Sequence, residues 1–130
     1  MGIFDRFKSQ RDIAKKELKN VPWQELNKLD QLNEIKNNSK ERPQVLFKHS
    51  TRCSISSMAL SRFEREYDVE DSKADIYYLD LIVHRDISNA IAEEFNVQHQ
   101  SPQVIVLKDN EVVYTASHNA ISAKEIEVTI

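Results

Sequence analysis

The chain carries one cysteine, Cys53, and its neighbours are polar: Ser50, Thr51 and Arg52 precede it, Ser54 and Ser56 follow. A structural cysteine usually sits as a small hydrophobe within an apolar run. Cys53 does not, so its setting favours a reactive thiol. The reacting form of a cysteine is the thiolate, which the unpaired N–H groups and partial positive charge of a helix N-terminus stabilise over the thiol. Cys53 lies where the apolar run Val45-Leu46-Phe47 gives way to a helical pattern, within the first turn of that helix. Lys48, His49 and Arg52 add positive character nearby. One cysteine permits no internal disulfide and no multi-cysteine zinc site, and a His49/Cys53 pair supplies only two metal ligands. The chemistry on offer is nucleophilic attack by sulfur.

Two further elements converge on it. Ser101-Pro102 precedes an apolar run, Gln103 to Leu107, and an X-Pro bond at a strand start is a place for a cis kink. A second run, Val112 to Ala116, is joined to the first at Asp109-Asn110 with hairpin spacing. Centring the hairpin on that pair sets Pro102 opposite Ser117, so Ser117 and His118 return to the sheet end that carries Pro102. His118 is then placed to tune the thiol or touch substrate, with an exposed loop histidine as the plain alternative. His84 and His99 have no recognisable partner and read as solvated.

The elements that must hold these residues follow from periodicity. Leu26, Leu29, Leu32 and Ile35 space as a helix that ends in Asn37-Asn38-Ser39. Pro43 opens a buried strand at Val45-Leu46-Phe47. Ser50 or Thr51 then caps a helix from about Cys53 to Tyr67, with Ile55, Met58, Ala59, Phe63 and Tyr67 along one stripe. Ile76 to Leu79 with Leu81-Ile82-Val83 form a second buried strand, and residues 86–95 a helix turning Ile87, Ala90, Ile91 and Phe95 inward. The hairpin follows, and Ser122 caps a final short helix. Helical crossovers link parallel strands and a hairpin adds antiparallel ones. This predicts an α/β domain with a mixed central sheet and helices on both faces, of the thioredoxin type, although the pattern also fits other small α/β folds.

Composition narrows the chemistry. Gly2 is the single glycine in 130 residues. Rossmann fingerprints, P-loops, G-x-S-x-G elbows and the usual calcium loops need glycine backbone, so they are excluded. The net charge of −3 gives no general pull on nucleic acid or anionic membrane. No apolar run approaches a membrane span, and the start of the chain lacks a signal-peptide core, so the cytoplasm is the expected location. Arg6 stands where a myristoylation motif wants Ser or Thr. Residues 1–20 carry net +3, leaving −6 on the rest. Ile3, Phe4, Phe7, Ala14 and Leu18 mark them as a basic amphipathic helical extension before a domain over 21–130. That helix could pack on the domain, or lie on a membrane surface or an acidic partner.

The run Ser50-Thr51-Arg52-Cys53-Ser54-Ile55-Ser56 between strand and helix, with Ser101-Pro102 before a hairpin, resembles the thioredoxin superfamily. Together with Ala116-Ser117-His118 it resembles, within that superfamily, the monothiol bacilliredoxins, the YtxJ-like family of low-GC Gram-positive bacteria. The resemblance spans about residues 22–128. It implies Cys53 as the nucleophile, Ser56 in place of a resolving cysteine, and Pro102 as the cis-proline beside the sulfur. Thr51, Arg52, Ser54, Ser56, Ser101, Pro102 and His118 become the substrate-contacting set. Ser54 departs from the proline that many members carry. The implied reaction removes bacillithiol from protein mixed disulfides, with bacillithiol as thiol co-substrate and no bound cofactor or metal. The implied partners are bacillithiolated proteins and an external thiol or dithiol reductant. Two other readings stand beside it. One is an iron–sulfur carrier similar to the monothiol glutaredoxins, whose C-G-F-S loop has Ser54 and Ile55 in its middle positions here. The other is a redox sensor that is itself capped by bacillithiol.

Overall fold

The computed structural model describes residues 21–130; the basic helix expected over residues 1–20 lies outside them. Five strands form one sheet in the order β1-β3-β2-β4-β5. They are β1 (Gln24–Glu25), β2 (Gln44–His49), β3 (Asp75–Asp80), β4 (Gln103–Lys108) and β5 (Glu111–Ser117). The helices are α1 (Gln31–Asn38), α2 (Ser54–Glu66), α3 (Arg85–Glu94) and α4 (Ala123–Thr129). β1 and β2 both run parallel to β3, while β4 is antiparallel to β2 and to β5. The sheet is mixed, as expected, with β4 inside it and β5 at the edge.

Side-chain alternation along β2 divides the core. Val45 and Phe47 join Phe63 and Tyr67 at α2, and Ala123 and Ile126 of α4. Leu46 joins Leu32 and Ile35 of α1, and Ile87 and Ile91 of α3. A central strand covered on both faces is buried at every position, which is why β2 reads as a continuous apolar run. Trp23 closes the α2 face, its ring centroid within 6 Å of those of Phe47, Phe63 and Tyr78, edge-on to Phe47 and Tyr78, and it donates its indole N–H to Glu64 (2.9 Å). Full burial of a side chain such as Phe63 is worth about 1.5–3 kcal/mol.

Several local expectations need correction. Leu26 and Leu29 are not helical: β1 precedes Leu26, whose N–H bonds to Tyr78 O (2.8 Å), and α1 begins at Gln31. Tertiary pairing with β3 outweighs the leucine spacing. The second buried strand ends at Asp80. The Asp80 carboxylate accepts the N–H groups of Ile82 and Val83, which folds residues 81–83 into a turn. Ser50 and Thr51 do not cap α2; a turn from Cys53 N–H to Ser50 O (3.2 Å) delays the helix, and Cys53 is its N-cap. The α2 stripe is also misdrawn: Ser56, Ala59 and Phe63 face the core, while Ile55 and Met58 are 56% and 71% exposed.

The hairpin register is off by one residue. A bulge at Val113 shifts the ladder from Leu107↔Val112 to Val106↔Tyr114, so Gln103, and not Pro102, pairs with Ser117. Asp109 and Asn110 take φ of 53° and 62°, the backbone of a type I′ turn without glycine. Ser39 binds both of their N–H groups. Ser122 caps α4 as expected, accepting from Glu125 N–H (3.3 Å).

Candidate active site

The loop after β2 delivers the cysteine. Cys53 is partly exposed at the N-cap of α2, and its sulfur takes no capping hydrogen bond. The first helical bond runs from Ser57 N–H to Cys53 O (3.1 Å). The N–H groups of Ser54, Ile55 and Ser56 therefore precede the helical ladder and open toward the loop that carries the sulfur. Thr51, Arg52 and Ser54 are exposed around it.

The strand register brings the other candidates alongside. Lys48 pairs with Gln103 and Gln103 with Ser117, so the end of β2, the start of β4 and the end of β5 share one sheet edge. One step further along lie His49, Pro102 and His118. The Ser101–Pro102 bond is cis. Pro102 O accepts the backbone N–H of His118 (3.1 Å), so the Ser117-His118 segment reaches the proline despite the shifted register. His118 is exposed and holds φ of 55°, a left-handed conformation that a β-carbon disfavours. Arg62 of α2, which the sequence pattern did not single out, pins this corner from below. Its guanidinium donates to His118 O (3.4 Å) and Ile121 O (3.3 Å). The Ser101 hydroxyl is buried and has no hydrogen-bond partner among the described residues.

Ser56 stands apart from the rest of the proposed contact set. It is fully buried, its hydroxyl lies 2.8 Å from His49 Nδ1, and that hydroxyl accepts Ser50 N–H (3.0 Å). It is a fixture beneath the loop, out of reach of a substrate at the surface. His49 is likewise buried, on the α2 face, with its ring 5.7 Å from that of Tyr78. Burial lowers its pKa below the ordinary histidine range, against the opposing pull of Asp80, Glu64 and a hydrogen bond to the Ser56 backbone.

Its neighbour Lys48 projects to the other face and is also fully buried. Its Nζ donates to Ser88 O of α3 (3.1 Å) and to His99 Nδ1 (3.3 Å). Desolvation lowers the amine pKa to about 8. His99 is exposed, as its solvated reading has it, but it is not without a partner. Its pKa is lowered by burial and by the positive charges of Lys48 and Arg85. The clue in the sequence was Lys48-His49 continuing a strand that is buried on both faces. Among the described residues, no group of three or more His, Cys, Asp or Glu side chains is placed to hold a metal ion. No helix among them is long and apolar enough to cross a membrane.

A mixed sheet with helices on both faces, a cysteine at a helix N-cap and a cis-proline on the adjoining strand define a thioredoxin-fold thiol redox protein. Solved structures agree. A thioredoxin-fold protein proposed to be an oxidoreductase matches at 29% identity over 81% of this chain and 90% of its own, with a TM-score of 0.67. The thioredoxin of Malassezia sympodialis matches at 18% identity over 85% and 89% of the two chains, with a TM-score of 0.62. That of Fasciola hepatica matches at 18% over 82% and 95%, with a TM-score of 0.60. The family model of the monothiol bacilliredoxin BrxC matches residues 24–126. The chain belongs to the monothiol bacilliredoxin family.

Proposed function

We propose that the protein removes bacillithiol from protein mixed disulfides in the cytoplasm, with Cys53 as the single nucleophile. The Cys53 thiolate attacks the bacillithiol sulfur of the adduct. A new disulfide forms between Cys53 and bacillithiol, the old one breaks, and the repaired protein leaves as a thiolate that takes a proton from water. Ser56 cannot resolve the new disulfide, since a hydroxyl is no nucleophile toward sulfur at neutral pH and this one is buried. An external thiolate, from a second bacillithiol or a dithiol reductant, attacks next and returns Cys53 as the leaving group.

The observation that carries this reading is a lone, partly exposed cysteine at the N-cap of α2, without a second sulfur to close an internal disulfide. Thr51, Arg52, Ser54 and His118 form the exposed rim available to substrate. The test compares release of bacillithiol and of glutathione from the same protein adduct under multiple turnover. Faster, Cys53-dependent release of bacillithiol is expected. Equal rates remove the preference for bacillithiol, and a single turnover despite excess reductant makes the protein a sensor.

A further inference from the structure

Strand β5 ends at Ser117 in extended backbone (φ −138°, ψ 157°), and His118 then takes the left-handed φ of 55°. That reversal carries the chain out of the sheet into a short 3₁₀ turn over His118–Ala120. Within the turn, His118 O accepts Ile121 N–H (3.3 Å) and Ala120 O accepts the Tyr114 hydroxyl (3.4 Å). Two other elements hold the corner from outside. Pro102 O, at the start of β4, accepts His118 N–H (3.1 Å). Arg62 of α2 meets it from the opposite side: its Nη2 donates to both His118 O and Ile121 O, one hydrogen for each acceptor. Arg62 follows Cys53 by nine residues on the same helix, about 13 Å along its axis. The helix that delivers the cysteine therefore also grips the His118 corner.

We propose that Arg62 is a positioning residue for substrate binding: from the helix that carries Cys53, it holds His118 in its left-handed corner and so keeps it on the substrate rim beside Pro102. This deepens the proposed function and rests on His118 belonging to that rim. A β-carbon disfavours left-handed backbone, so the corner persists because its surroundings over-determine it. Pro102 fixes the His118 N–H, and Arg62 fixes the His118 carbonyl. Without the guanidinium only the Pro102 side is anchored from outside. The backbone at His118 is then free to relax, and the exposed imidazole leaves the edge that it shares with Pro102. Glycine at this position would hold the same backbone with no brace.

The test is single-turnover exchange between Cys53 and a peptide mixed disulfide at varied concentration, with bacillithiol and glutathione adducts of the same peptide. Arg62→Met keeps the aliphatic stem and drops the donors. It should raise the half-saturating peptide concentration about fivefold while the maximal rate changes less than about twofold, the pattern of lost uniform binding. Alkylation of Cys53 by iodoacetamide should keep its wild-type rate. Arg62→Lys, which retains donors and charge, should recover part of the loss. His118→Gly should also raise the half-saturating concentration, and the double variant should match H118G alone. If R62M weakens binding as much in the H118G background, Arg62 meets the substrate directly and the proposal is overturned. Wild-type saturation in R62M or in H118G overturns it too. Should R62M not fold, R62K carries the comparison: a smaller rise, again absent in the H118G background. Hydrogen exchange at the His118 amide reads the corner without substrate. It should quicken about tenfold in R62M, the scale of one hydrogen bond, and unchanged exchange overturns the inference. The Arg62 effect is read on both adducts, so equal rates with bacillithiol and glutathione bear on the proposed function alone.

Discussion

Lys48 and His49 are adjacent on the central strand, both are buried, and they face opposite sides of the sheet with opposite consequences. On the α2 side, His49 meets Ser56 directly beneath the cysteine loop. On the other side, Lys48 ties α3 to the segment that leads into Ser101-Pro102, through Ser88 O and His99 Nδ1. In both places a histidine Nδ1 can accept only while the ring is neutral, though His49 is buried and His99 is exposed. The difference lies in the partner. Ser56 is a hydroxyl that can donate to His49 or accept from it, and it also accepts Ser50 N–H beneath the cysteine loop. Lys48 as an ammonium only donates, and it braces the loop by holding Ser88 O and His99 Nδ1. One face pairs a histidine with a hydroxyl that can donate or accept, the other with a cation that donates.

The largest effect should separate the site from its supports. Cys53→Ser is expected to reduce de-bacillithiolation by about three orders of magnitude or more while leaving the thermal midpoint nearly unchanged. Residual turnover close to wild type would place the chemistry elsewhere.

Lys48→Met tests the bracing side. A buried ammonium replaced by an apolar chain of similar length should stabilise the fold by about 1–2 kcal/mol near pH 7, measured by urea unfolding. The wild-type amine, with its pKa lowered from 10.5 to about 8, binds fewer protons folded than unfolded between those values. Wild-type stability should therefore rise with pH across that window, and the advantage of the variant should shrink. The alkylation profile of Cys53 should be unchanged; if it moves with Lys48, the two faces are not independent.

The histidines work at the acid end. Both His49 and His99 have folded pKa values below the ordinary 6.5, so stability is full above that value and falls as pH drops through the folded values. His49→Asn should flatten this acid slope, measured by urea unfolding at pH 5 and pH 7.

The smallest expected effect is at His118. Replacing it with glycine relieves the left-handed backbone and should add up to about 1 kcal/mol of stability. A simultaneous several-fold rise in KM would show that the side chain, and not the corner alone, meets the substrate.

Much of this arrangement was legible in the sequence because its signals are local. The apolar run of β2, the polar surroundings of Cys53, Ser101-Pro102 and the Asp109-Asn110 turn each declare themselves within a few residues. What stayed hidden depends on pairing at a distance. β1 is two residues long and exists through its ladder with β3, so no periodicity announces it. Val113 is one extra residue in a β-branched run, and the shift it causes is invisible until both strands are aligned. Ser56 fell in the substrate-contacting set because it stands in a polar run beside Cys53; only the helix phase turns it inward toward His49. His99 looked partnerless because Lys48 lies 51 residues away.

The central claim is that one sulfur takes bacillithiol from a protein adduct and holds it until an outside thiol arrives. Intact-mass spectrometry after mixing the protein with an equimolar bacillithiolated substrate, without reductant, tests this directly. The account predicts one bacillithiol gained on Cys53 and one free thiol gained on the substrate, with no transfer to the Cys53→Ser variant. An unmodified Cys53 beside an unchanged adduct, or a stable disulfide joining Cys53 to the substrate protein, would contradict it.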